Sequence, residues 1–139
     1  MSYRVVTCFN EKLLKSNGSK LLEDFASKWD TAIEFDCYYY DMDIKNYSLP
    51  KANNIHYYNL SNLSDYTDFV ERNKEHNGTE NGEFEYNETI DALTEAPKIF
   101  AISETMFNNS MSWVFWVDPH CYTMGKVTTS YLEKVFPHD

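Results

Sequence analysis

Apolar positions along the chain alternate between two periods. Residues 3–10, YRVVTCFN, are β-branched and aromatic before turning polar, which predicts a first buried strand. In the stretch that follows, Leu14, Leu21, Leu22, Phe25, Ala26 and Trp29 recur at helical spacing, with Asn17 or Ser19 as the expected cap. Residues 32–40, AIEFDCYYY, set Ile33, Phe35 and Cys37 against Glu34 and Asp36, the period-two pattern of a second strand. A polar loop carrying Pro50 leads to a short third strand at 55–60. Ser64 to Asn77 reads as a charged helix with Tyr66, Phe69 and Val70 as its apolar points. Residues 76–89 hold two Asn-Gly pairs and the acids Glu80, Glu83 and Glu85, and read as an exposed loop. A helix over 97–109 is expected to carry Pro97 in its first turn and Ile99, Ile102 and Met106 along one side. The run SWVFWVD, 112–118, is apolar enough for a fourth strand covered on both faces. A last short helix, 128–137, stops at Pro137.

This order predicts one domain over 1–139, an α/β fold. It would be a three-layer α/β/α sandwich on a mostly parallel sheet, with right-handed crossovers. In such sheets ligands sit beyond the carboxyl ends of the strands, where the strand order reverses. If the first and fourth strands are neighbours there, Thr7–Asn10 and Asp118–His120 share one crevice. Asp118 and His120 could then be metal ligands at a strand tip, or the ordinary solvated end of a strand.

Composition narrows the classes. The net charge is −10, with 22 acidic against 12 basic residues, which disfavours nucleic acid and membrane lipid as partners. Three widely spaced cysteines, Cys8, Cys37 and Cys121, form no CxxC pair and suit free thiols in a reducing, cytoplasmic setting. The chain opens without a signal-like segment and holds no apolar run of membrane length, so the six Asn-x-Ser/Thr triplets read as products of an Asn-rich composition. Four glycines exclude a phosphate-cradling P-loop. Tyr38, Tyr39 and Tyr40 could stack a base or fill a half-buried sheet. His56 reads as a packed histidine, and His76 and His138 carry no argument.

Three segments resemble one family in order: VVTCFNE at 5–11, IDALTEAPKIFAI at 90–102, and WVFWVDPHCYT with YLEKVFP at 113–137. They look like the GT-A-type nucleotide-diphospho-sugar transferases, in particular the small glycosyltransferase-like proteins of bacteriophages, and the resemblance implies a truncated GT-A, Rossmann-like fold with strand order 3-2-1-4. In that family the first motif reads V-T-S-F-N and the last W-x-x-W-x-D-A-D. The resemblance implies a nucleotide sugar held with a divalent metal, Mn2+ or Mg2+, by Asp118 and His120 in the two D-x-D positions. It places Thr7, Phe9, Asn10, Asp91 and Lys98 toward the nucleotide or diphosphate. Three departures weaken the implied site: His120 replaces an Asp and removes a negative charge, Pro119 stiffens the motif, and Thr94 stands where relatives carry an Arg. Relatives also continue past this point into a half that supplies the acceptor pocket, so the resemblance covers the nucleotide-binding half and implies that full transfer is absent.

Two other expectations stand beside it. One is a non-catalytic protein, phage-borne and working in the host cytoplasm, that binds a host protein through its acidic, Tyr-rich surface. The other is a homo-oligomer in which a second copy covers an exposed sheet edge.

Overall fold

The computed structural model describes residues 2–75, 77, 91–110 and 112–136. The expected loop at 76–89, with His76, Glu80, Glu83 and Glu85, lies outside them apart from Asn77, as do Pro137 and His138. Four strands, β1 (Ser2–Phe9), β2 (Ile33–Tyr39), β3 (Ile55–Asn59) and β4 (Ser112–Trp116), form one sheet of order β3-β2-β1-β4 in which every pairing is parallel. The expected order is therefore the observed one, and β1 and β4 meet where the chain reverses its direction across the sheet.

Helices lie on both faces. Because side chains alternate along a strand, Tyr3, Val5, Phe9, Ile33, Phe35, Cys37 and Ile55 point to one core, which α2 (Ser19–Lys28) closes with Leu21, Leu22 and Phe25 and α5 (Thr129–Val135) with Leu132. Val6, Cys8 and Tyr38 point to the other, closed by α3 (Ser64–Asn73) and α4 (Ala92–Asn108). Aromatic rings carry much of the first core, with Phe25 against Phe35 at 4.3 Å and Trp113 against Phe136 at 5.4 Å between centroids.

The structure corrects four local expectations. The first helical run starts at Glu11, not beside Ser19, because Asn10 caps it: its Oδ1 accepts from Leu13 N at 3.0 Å. That run passes from α1 (Glu11–Leu13) through a π-helical turn, Leu14–Gly18, into α2. Ala26 faces solvent: within α2 the buried side is Leu21, Leu22, Asp24 and Phe25. α4 starts five residues before Pro97, so the proline sits inside the helix; Asp91 is the true cap, accepting from Thr94 N at 3.0 Å. β4 is an edge strand whose five residues are each only half-buried, packed on both faces but open along one side.

Candidate functional site

The carboxyl ends of β1 and β4 lie side by side. Val6 pairs with Trp116, and Val117 N donates to Val6 O at 3.0 Å. β4 then turns at Asp118. The Asp118 Oδ1 accepts from the His120 amide at 2.9 Å and from His120 Nδ1 at 2.8 Å, so the two side chains face each other across a tight turn. Burial raises the Asp118 carboxyl, but the two bonds from His120 and the charges of His120 and Lys98 outweigh it and hold its pKa below the ordinary value. An ionised carboxylate only accepts. In the neutral imidazole the proton therefore sits on Nδ1, and Nε2 is the ring nitrogen left for another partner.

The segment after this turn is fixed from below. Asn17, on the π turn, donates through Nδ2 to Pro119 O at 3.1 Å and Cys121 O at 2.8 Å. A side chain on Gly18 beside it would approach Leu13 O to 3.1 Å, so the π turn needs the glycine for room. One turn further on, the buried Asp24 accepts from Lys20, from Lys28 at 2.9 Å and from Thr123 N at 3.0 Å. Lys28 donates to Thr123 O, Trp29 Nε1 donates to Thr123 Oγ1 at 2.8 Å, and Trp29 bridges Val127. π-helical turns recur at functional sites; here the turn aims the one side chain that pins the Asp118–Cys121 corner. The Lys20, Asp24, Lys28 spacing, four residues apart on one helix face, was a signal that reading for motifs alone passed over.

On the α4 side, Lys98 Nζ lies 5.3 Å from the centroid of the Trp116 ring, and its charge reaches both Asp118 and Cys8. The Cys8 thiol is pushed up to about 12, first by burial and then by Asp118 and Glu95, so it is a neutral buried group and not a nucleophile. All three cysteines are free, with Cys8 and Cys37 buried and Cys121 exposed.

The seven residues expected to bind ligand are thus placed unevenly. Asp118 and His120 are together and exposed, and Lys98 stands near them. Thr7 and Phe9 are buried on the opposite face of the sheet, facing the α2 core; the Thr7 hydroxyl has no hydrogen-bond partner among the described residues. Asn10 reaches the crevice only at its rim, because its side chain caps α1. Asp91 caps α4 and accepts from Asn77, while Asn77 Oδ1 takes the Leu93 amide at 2.9 Å. Two amides of the first turn of α4 are therefore spoken for, which leaves Lys98 as the cationic group at this end of the sheet that faces Asp118.

Two donors, Asp118 and His120, do not make a metal centre unaided, and no cluster of three or more His, Cys, Asp or Glu suited to a metal occurs among the described residues. Because Nδ1 is bonded to Asp118, Nε2 faces away from the carboxylate, and the free Asp118 oxygen alone fits a cation that brings most of its ligands along, as Mg2+ or Mn2+ does on a diphosphate.

A second concavity, about 300 Å³, lies over β2 and β3 beside the C-terminal half of α4. Its lining includes Asp36, Tyr38, Tyr58, Asn62, Glu104 and Asn108. Under it, Arg4 Nη1 binds Asp36 Oδ1 at 2.7 Å, and His56 Nε2 meets Glu34 Oε2 at 2.6 Å on the neighbouring strands.

With the architecture defined as an all-parallel α/β sheet that carries the Asp118–His120 turn at its β1–β4 reversal, comparison adds no relative: no protein-family model, curated protein or solved structure matches the chain. Among the described residues no helix is long and apolar enough to cross a membrane.

Proposed function

We propose that the chain binds a nucleotide sugar, with a divalent cation, at the β1–β4 reversal. The single observation behind this reading is the Asp118–His120 pair, held at the tip of β4 directly beside β1, where open parallel sheets take their ligands. Local charge gives a reason for the cation. Asp118 and Glu95 surround one lysine, Lys98, so a bare diphosphate would meet net repulsion. A cation carried on the diphosphate reverses that sign. The second oxygen of Asp118 is the group that would hold it, and Lys98 would meet the phosphate oxygens; His120 would join as a ligand only with its ring turned out of the Nδ1 bond to Asp118.

The test is thermal denaturation with Mn2+ or Mg2+ and a panel of nucleotide sugars. A ligand at a hundred times its dissociation constant stabilises the folded state by about 2.7 kcal/mol, which for a domain of this size raises Tm by several degrees. Asp118→Asn and Lys98→Ala should each remove most of the shift without lowering the Tm of the free protein by more than a degree or two. No shift with any nucleotide sugar and cation pair, at concentrations up to the millimolar range, refutes the reading.

A further inference from the structure

Hydrophobic side chains left in solvent are not scattered over this molecule. Of the eight large ones exposed among the described residues, Ile99, Met106 and Phe107 lie on α4, Tyr131 and Val135 on α5, and Tyr122 and Met124 on the segment after β4; Tyr58 alone lies elsewhere. The first seven belong to the elements next to the open edge of β4. On α4, Ile99 is 62% and Met106 56% exposed, and Ile102, on the same side of the helix, packs into the core that holds Val114 and Trp116. None of Ile99, Ile102, Ser103, Met106, Phe107 and Ser110, which line the shallow apolar depression on α4, can ionise.

The strand edge has the same character. Val117 N points to β1, so by the two-residue period of a strand the amides of Trp113 and Phe115 do as well. The N–H and C=O groups of Val114 and Trp116 then point off the sheet, and among the described residues no strand pairs with them. Sheet edges are ordinarily protected by a charge, a proline or a bulge. SWVFW contains neither charge nor proline, and its pairing with β1 runs without a break from Ser112 to Trp116.

We propose that this face is covered by a second copy of the chain, β4 pairing antiparallel with β4 about a two-fold axis through Val114. The five-residue strand is self-complementary in that arrangement. Val114 would exchange both backbone bonds with its own mate, and each Trp116 amide would reach the opposite Ser112 carbonyl, giving four bonds. Trp113 would lie opposite Phe115, an aromatic pair of the kind that favours antiparallel association. Strands are spaced by about 4.8 Å, so a helix seated over β1 and β4, as α4 is, comes to roughly 10 Å from its mate, the distance at which helices pack. Charge selects the occupant. A chain at net −10 repels its own kind, and this strip without ionisable side chains is where two copies can approach. A five-residue strand edge is small beside the roughly 800 Å² per copy that stable interfaces bury, so the interface requires the flank of α4 around Ile102 and Met106 as well.

Light scattering coupled to size exclusion, from low to high micromolar protein, tests this directly. Wild type is expected at twice the chain mass. Val114→Pro removes an outward amide without touching the bonds to β1, as edge strands tolerate. Ile99→Glu with Met106→Glu puts like charges across the two-fold on side chains already in water. Each variant should weaken self-association about tenfold or more while keeping the circular dichroism of the wild type; the α4 double variant guards against any misfolding of the proline one. A wild-type protein at single-chain mass throughout the range, or a dimer that survives both variants, overturns the proposal.

Discussion

Replacing Arg4 with Met tests how the second face of the sheet tolerates its buried charge. Asp36 is only 2% exposed, and its one cationic partner within bonding distance is the Arg4 guanidinium at 2.7 Å. Even with that partner, burial wins and the Asp36 carboxyl is raised above its ordinary value. A raised acid binds its proton more tightly in the folded state. Stability is therefore greatest at low pH, falls as pH rises from the unfolded pKa to the folded one, and is flat above that. Removing Arg4 pushes the folded pKa further up and extends the decline. The loss has a ceiling, because the carboxyl can always take a proton. Keeping it neutral costs about 1.4 kcal/mol per pH unit above roughly 3.9, so about 4 kcal/mol at pH 7 and about 1.5 kcal/mol at pH 5. The ceiling at pH 7 falls within the 3–5 kcal/mol, roughly, that breaking a buried pair costs. Because the wild type already bears part of this cost, urea unfolding of wild type and Arg4→Met should then differ by less than about 4 kcal/mol at pH 7 and by less than about 1.5 kcal/mol at pH 5, with the larger difference at pH 7. The double variant Arg4→Met with Asp36→Leu should recover most of the loss, since an apolar replacement of a buried pair is often neutral. A loss for the single variant that is the same at both pH values, or a double variant no more stable than the single one, refutes the reasoning.

Asn10→Ala should cost about 0.5–2 kcal/mol in urea with no ligand present, through loss of the cap on α1, and Asn10→Ser should restore most of it; an unchanged midpoint would mean the cap contributes nothing. Asp24 is held far below the ordinary carboxylate range, first by its bonds from Lys20 and Lys28. A lowered acid gives stability that is present above its unfolded pKa, about 3.9, and lost as pH falls through the folded one. As pH falls below about 4 the Thr123 amide should lose protection relative to its intrinsic exchange rate, since the stability that the clamp supplies declines there. Asp24→Asn should show the looser exchange already at neutral pH, and identical exchange in both proteins would remove Asp24 from the account.

How far the fold could be read from sequence follows from what each element buries. The strands were legible because β1 and β2 are covered on both faces and β2 alternates cleanly, Ile33, Phe35 and Cys37 against Glu34 and Asp36. The sheet order came with the family resemblance, because several parallel orders share the same number of crossovers. Helix starts were less legible. Asn10 looks like the end of a strand and Asp91 like part of an acidic loop, and each turned out to be the residue that satisfies a first-turn amide. A proline six residues into α4 reads as a start signal, because the rule that places proline early in helices does not register a cap further upstream.

The site was legible at its tip and not at its base, and the difference is one of direction. Asp118 and His120 follow a strand and turn into solvent, so spacing alone brings them together. Thr7 and Phe9 lie within a strand, and there parity decides: both are odd-numbered on β1, like Tyr3 and Val5, and share their face with the α2 core. Residues of the opposite parity, Val6 and Cys8, face α4 and lie on the side of Lys98 and Asp118. Any ligand at the reversal would therefore touch β1 through its last backbone groups and through the rim at Asn10, not through the side chains that the V-T-C-F motif brings to notice. That arrangement assigns the motif to packing and leaves recognition to the β4 turn and to Lys98. Substitutions at Thr7 or Phe9 should then act on stability, and those at Asp118, His120 or Lys98 on binding.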